Sequence, residues 1–257
     1  MEGSVSPKNN RLLGLLPPEV IAYLLPHLER INIARGTILH QPGQPSLKHA
    51  IFPVSGLIGR VAMTTDGKST ELTLCGFDGV IGVSIFLGGR PLNSQAIVLS
   101  DTVAFRLPAS VMLSAWRRSE AFQCVMLRYL QVILREVIQV ALCNKHHTVE
   151  QQLSRWLLMA MDRVGGPTLY VTQSVISHLL GVRREGITEA AGKLEAHGVL
   201  KRVRGEMTVV HRGALEGRCC ECYAAITRHV EDLLLDGVGI AGAGKGESTK
   251  RNNMGPF

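Results

Sequence analysis

The chain carries no cysteine in its first 74 residues, and its six cysteines fall at 75, 124, 143, 219, 220 and 222. No disulfide framework is expected, and the thiols are read as reduced. The opening stretch, MEGSVSPKNNRLLGLLPPEV, lacks a basic segment followed by a long apolar run, so no secretory leader is expected. Long apolar runs are missing as well. The most apolar segment, residues 125–143, is interrupted by Arg128, Gln131, Arg135, Glu136 and Gln139, which excludes a bilayer span. A soluble cytoplasmic protein with no membrane partner follows. Closely spaced metal ligands are absent from the strand-like region: His40 and His49 stand nine apart with no acidic residue between them. There is also no nucleophile–base motif and no phosphate loop. An enzyme is therefore not expected, and no cofactor is implied.

What is present is ordinary for a protein with a sizeable core. The 257 residues are 46% hydrophobic, enough for one large domain or two smaller ones. The net charge is +7, of which +2 falls before residue 110 and +5 after it. That skew suits a polyanion partner but is also compatible with a mildly basic solvated surface.

Local texture divides the chain into parts. Residues 11–30 read as a helical lead-in, with Pro17 and Pro18 placed to start a helix at Glu19. From about 31 to 107, short apolar runs alternate with turn pairs such as Pro42-Gly43, Asp66-Gly67 and Asp78-Gly79. STELTLCGF alternates, and QAIVLSDTVAFRL is rich in β-branched residues. A β-sandwich or barrel is expected. Residues 109–145 switch to helical periodicity. Met126, Leu130, Ile133, Val137 and Val140 form an a/d seam, read either as one strand of a parallel homodimer or as a helix packed on its own domain. A further helix covers roughly 148–164. The Gly-rich stretch 237–257 is expected to be disordered.

The most specific pattern lies in residues 171–198. Thr172 is a good N-cap. Ile176, Leu180, Val182, Ile187 and Ala190 occupy the positions where two helices of a helix-turn-helix would touch. Ser177 supplies the small residue, and Gly181 supplies the turn that needs positive φ. Arg183, Arg184, Glu185, Thr188 and Glu189 then face outward at the start of the second helix, the end that enters a major groove. Arg can fork onto guanine and Glu can accept from cytosine. Thr172 and Gln173 stand where phosphate contacts are favourable. Gly186 is expected to face the nucleic acid, and Gly192 to pack against the first helix. VLKRV and MTVVH flank an Arg-Gly-Glu turn. They read as a wing offering Lys201, Arg202 and Arg204 to backbone phosphates.

A β-roll, a long helix and a winged helix-turn-helix in that order resemble the Crp/Fnr family of bacterial transcription regulators. At the front the resemblance rests on ARGTILHQPGQP, HAIFPVSGLIGRV, DGK and GFDGVIGV. At the back it rests on VTQSVISHLLGVRREGITEAAGKLEAHGVL and the CECY of residues 220–223. It spans residues 12–223. It implies an α+β chain: an antiparallel β-roll sensor domain (11–108), a long dimerisation helix (109–145) and a winged helix-turn-helix DNA-binding domain (146–223). It further implies a homodimer on a roughly palindromic double-stranded DNA site, an unknown small-molecule effector, and RNA polymerase as a candidate partner.

In cyclic-nucleotide-binding members, a Gly-Glu pair and a later Arg-Ser pair hold ribose and phosphate. Here Gly82 is followed by Val83, and Asn93 precedes Ser94. The guanidinium fork and the carboxylate are both missing, so tight binding of cyclic AMP is not expected. Nor is an iron–sulfur cluster, because the family's cluster-bearing members use N-terminal cysteines. Cys219, Cys220 and Cys222 cannot all reach one ion from a regular helix, and His211 is the only histidine near them in sequence. No metal site is expected.

Overall fold

The structure is a computed structural model that describes residues 5–90 and 92–235. The expected disorder of 237–257 concerns residues outside that range. The chain enters through α1 (Arg11–Gly14) and α2 (Pro18–Leu24). Asn10 caps α1, accepting from Leu12 and Leu13 N–H, and donates through Nδ2 to the carbonyls of Pro53 and Gly79 at 2.8 Å each. This buried amide anchors the lead-in helices to the strands behind them.

Seven strands follow: β1 (Glu29–Ile33), β2 (Ile38–His40), β3 (His49–Pro53), β4 (Leu57–Met63), β5 (Ser69–Cys75), β6 (Gln95–Ser100) and β7 (Thr102–Pro108). They form two antiparallel sheets, in the orders β1-β7-β3 and β2-β6-β4-β5. Between the sheets lie Ile33, Ile51, Ile58, Cys75, Ile81, Ala96, Val98 and Ala104.

A bulge decides which residues of β5 face inward. Arg60 pairs with Thr73 but Val61 pairs with Glu71, so Leu72 is the extra residue. Thr73 therefore faces the interior and Glu71 the outer surface, although they stand two apart. Arg60, 5% exposed, lies on the inner face. Its guanidinium donates to Thr73 Oγ1 (2.9 Å), the Val80 carbonyl (2.6 Å) and the Tyr129 hydroxyl (3.1 Å).

The helical stretch after the roll is two helices, not one from 109. α3 (Ala109–Arg118) ends at Ser119, which is extended at φ −130°. The Ser119 hydroxyl then caps α4 (Glu120–His146) by accepting from Phe122 N–H. α4 runs 27 residues. α5 (Val149–Val164) opens with a Thr148–Gln151 capping box and stops at Gly165. Then come β8 (Thr168–Leu169), α6 (Gln173–Leu180), α7 (Arg184–Ala196), β9 (Leu200–Val203), β10 (Glu206–Val209), α8 (Arg212–Glu216) and α9 (Cys222–Leu235). β8, β10 and β9 make a third antiparallel sheet.

The expected a/d seam splits in the fold. Met126 (0% exposed) and Val140 (4%) face inward, so they cannot line an interface with a second chain. Leu130, Ile133 and Val137 are half-buried. The open stripe of α4 is Leu127, Leu134, Ile138 and Leu142, each between 44% and 65% exposed. Apolar residues occur on both sides of α4, and a period near 3.5 fits either stripe equally well.

The outer face of the β4–β5–β6 sheet is covered by the C-terminal half. Leu57, Val61, Leu74 and Leu99 share one core with Trp156, Leu157, Leu179, Leu180 and Ile187. Within this seam Glu71 is 2% exposed and accepts the Trp156 indole N–H at 2.7 Å. Burial pushes its carboxyl up to about 7, against the opposing Trp156 hydrogen bond and Arg155 charge. Folding thus favours protonated Glu71. The associated stability is complete below about 4.5 and is lost as pH rises through about 7. Glu71→Gln keeps an acceptor for Trp156 and removes the buried charge. Thermal unfolding should show a higher midpoint than wild type at pH 8 and little difference at pH 4.5; an equal shift at both would contradict the buried-charge account.

Candidate nucleic-acid interface

The reading end is built by α6 and α7. Thr172 caps α6, accepting from Val175 N–H at 3.3 Å. Ile176, Leu179 and Leu180 turn inward, and Ser177 is buried with its hydroxyl bonded to the Ser174 carbonyl. Gly181 then takes φ +66°, and a Cβ there would stand 3.1 Å from the Ser69 carbonyl oxygen of β5. The turn thus needs glycine for conformation and for space. The Ser69 hydroxyl donates to the His178 carbonyl at 2.8 Å, so the roll grips the end of α6 directly.

α7 begins after Arg183, which is extended at the N-cap. Ile187, Ala190, Ala191 and Leu194 are buried, against α5 and α6. That leaves Arg183, Arg184, Glu185, Thr188 and Glu189 exposed along one edge. The Thr188 hydroxyl donates to Gln173 Oε1 at 2.9 Å, joining the two helices across the turn. Glu189 pairs with Lys193 at 2.8 Å, which holds its carboxyl below the usual range. Arg184 makes no ion pair among the described residues.

The wing is the β9–β10 hairpin, closed by Arg204-Gly205. Lys201 and Arg204 are exposed. Arg202 is not free: its Nε donates to Glu195 Oε2 at 3.0 Å and its backbone N–H to Oε1 at 3.3 Å. A Cβ at Gly192 would lie 4.0 Å from Arg202 Nη2, so this glycine faces the wing arginine and not the first helix. A Cβ at Gly186 would lie 3.8 Å from Val149, so it faces α5, not the solvent. Thr172, Gln173, Ser174, Arg184, Arg202 and Arg204 line one cleft of about 440 Å³ between α6, α7 and the wing. Ser174 and Glu195 in this cleft were missed by the sequence reading; Glu195 stands on the α7 turn that faces β9, a signal only the hairpin register exposes.

The effector residues separate by environment. Val83 is 3% exposed within the core of the lead-in helices, Phe52 and Leu107. Asn93 is exposed, whereas Ser94 is 1% exposed and its hydroxyl has no hydrogen-bond partner among the described residues. Arg60, also missed, is the buried cation of the roll, and its reach to Tyr129 links the sheet to α4.

The C-terminal cysteines also behave unexpectedly. Cys220 precedes α9 and Cys222 opens it, so the two are not on one regular helix. Their sulfurs meet Cys143 and His147 at the end of α4, all four ligand atoms lying within 4.8 Å of one another. This corrects the expectation that no metal ligands converge. The histidine comes from a distant segment, and its Cys-x3-His spacing at a helix end was the available signal.

A cyclic nucleotide-binding domain matches residues 30–119, and a Crp-like helix-turn-helix domain matches residues 151–218. The chain belongs to the Crp/Fnr family. It is a DNA-binding transcription regulator of that family. Solved structures of similar fold include a Crp/Fnr regulator of Eubacterium rectale, at 19% identity and TM-score 0.63, covering 80% of this chain and 96% of that one. FixK2 of Bradyrhizobium japonicum has 16% identity and TM-score 0.64, covering 75% and 98%. The c-di-GMP-responsive regulator CLP of Xanthomonas campestris has 17% identity and TM-score 0.62, covering 76% and 100%. No curated protein matches. Among the described residues no helix is long and apolar enough to cross a membrane.

Proposed function

We propose that this Crp/Fnr regulator reads a specific DNA site as a homodimer, one α7 per half-site, without control by cyclic AMP. The observation that carries the reading is the exposed edge of α7, whose opposite face is wholly buried. Arg184 and Glu185 are the base-reading pair, with Arg183 and Thr188 beside them and Glu189 at the margin. Thr172, Gln173, Lys201 and Arg204 contact phosphates. Arg202, engaged by Glu195, stiffens the wing. Arg184→Ala should weaken binding to the native site by about 1–3 kcal/mol and relax selectivity at one position. Lys201→Ala should weaken all sequences alike and lower the salt slope by about 1. Quantitative gel shifts at several salt concentrations check both; identical behaviour of the two variants would mean the reading end is misplaced.

The dimer is supported by the stripe Leu127, Leu134, Ile138 and Leu142, apolar and open from residue 127 to 142 of a 27-residue helix. A second α4 is its natural cover, because a long uncovered apolar stripe is costly in water. Leu134→Glu with Ile138→Glu should convert a dimer to a monomer in light scattering and abolish tight DNA binding. A persistent dimer would place the interface elsewhere.

Independence from cyclic AMP is supported by Val83 and Asn93, which offer neither a carboxylate for ribose nor a guanidinium for phosphate. Calorimetric titration with cyclic AMP should show no heat of binding; a micromolar or tighter dissociation constant would refute this.

A further inference from the structure

The end of α4 and the start of α9 meet at one point. α4 closes with Cys143 and, one turn later, its cap His147. The segment after α8 brings Cys220 and Cys222 to the same place as α9 begins. We propose that Cys143, His147, Cys220 and Cys222 bind one tetrahedral zinc ion.

The distances suit a single ion. Cys143 Sγ and Cys220 Sγ are 3.6 Å apart, and Cys222 Sγ is 3.4 Å from His147 Nδ1. Zinc bonds of about 2.3 Å to sulfur and about 2.0–2.1 Å to nitrogen give tetrahedral edges of about 3.8 Å for S···S and about 3.5 Å for S···N. Three sulfurs and one imidazole in that geometry select zinc over oxygen-loving cations. The site is closed: Cys143 and Cys222 are 0% exposed and Cys220 is 5%. Four protein ligands leave no open position, as in structural rather than catalytic zinc sites.

The surroundings support the ligands. His147 turns Nδ1 toward Cys222 and Nε2 toward Glu221 Oε1 at 3.3 Å. A carboxylate behind a ligating imidazole fixes which nitrogen faces the metal. Gln139 Nε2 donates to Cys222 Sγ at 3.1 Å, a hydrogen bond that suits a thiolate better than a thiol. Binding would release the three thiol protons to solvent and leave one net negative charge on zinc, three thiolates and a neutral imidazole. Arg155 is positioned to balance it. It is 1% exposed, its Nε has no hydrogen-bond partner among the described residues, and its charge acts on the Cys143 and Cys219 thiols. A Cys143–Cys220 disulfide would engage only two of the four residues, and the sulfurs stand well beyond the bond length of about 2.05 Å.

The test is metal analysis of the full chain, purified under reducing conditions without metal-chelating resin. Elemental analysis should find about one zinc per chain, released by a mercurial reagent that blocks thiols. Removing the metal and titrating with Co²⁺ should give the intense visible bands of tetrahedral cobalt–thiolate, reversed by Zn²⁺. Glu221→Gln should weaken zinc binding by about 10–100-fold. Cys219→Ser, beside the site but outside the four ligands, should keep the zinc. The Co²⁺ spectrum needs no variant, so a misfolded Cys220→Ser chain would not obscure the answer. Absence of bound metal together with no cobalt bands would overturn the proposal. So would iron with acid-labile sulfide, or a Cys143–Cys220 disulfide in the reduced preparation.

Discussion

Arg163 holds the two halves of the molecule in one piece. It projects from α5, the first helix of the DNA-binding half, and is 7% exposed. Its Nε lies 3.1 Å from Asp78 of the roll and its Nη2 3.3 Å from Glu136 of α4. Glu136 in turn accepts the Leu74 N–H of β5 at 3.0 Å. Roll, long helix and DNA-binding half thus converge on one guanidinium. Removing one partner from such a buried group typically costs about 3–5 kcal/mol, because the other charge is stranded. The apolar seam around Trp156 supplies adhesion, while Arg163 supplies direction through its two carboxylate partners on different elements.

That arrangement explains how the reading helix is presented. α7 rests on α5, and the turn before it rests on β5. Its outward edge is therefore fixed relative to the roll without any contact of its own. The glycines that weaken α7 as an isolated helix are tolerated because Ile187, Ala191 and Leu194, all fully buried, define its position. Gly186 and Gly192 face Val149 and Arg202, where an added Cβ would make only ordinary contact, so neither glycine is required by space.

Much of this was legible in the residues themselves. The helix-turn-helix was plain because Gly181, Ser177 and the five apolar contacts are local, all within one 20-residue unit. The β-strand region was plain from its turns, and the wing from two short alternating runs. What stayed hidden depends on contacts across the chain. The bulge at Leu72 leaves no local mark, so the burial of Glu71 beneath Trp156 could not be foreseen. The seam of α4 reads either as a dimer contact or as packing on its own domain, because periodicity fixes the spacing of a stripe but not which stripe faces inward; Met126 and Val140 take the second. The break at Ser119 sits in a sequence whose apolar spacing continues through it. The convergence of Cys143 and His147 with Cys220 and Cys222 needs two segments more than 70 residues apart.

The bulge in β5 has a mechanical meaning. Side chains on a strand alternate with a period of two, so the extra residue reverses the phase of everything on one side of it. N-terminal to Leu72, Ser69 and Thr70 hold the end of α6 and Asn144 of α4 through their hydroxyls. C-terminal to it, Thr73 and Cys75 belong to the roll's interior beside Arg60. One strand therefore has two owners, and Leu72 is the boundary between them. A shift of the bulge by one residue would carry Glu71 out of its pocket under Trp156 and turn it toward Arg60. β5 is thus a shared wall, and its single irregular step assigns one stretch of the strand to the roll and the other to the turn before the reading helix.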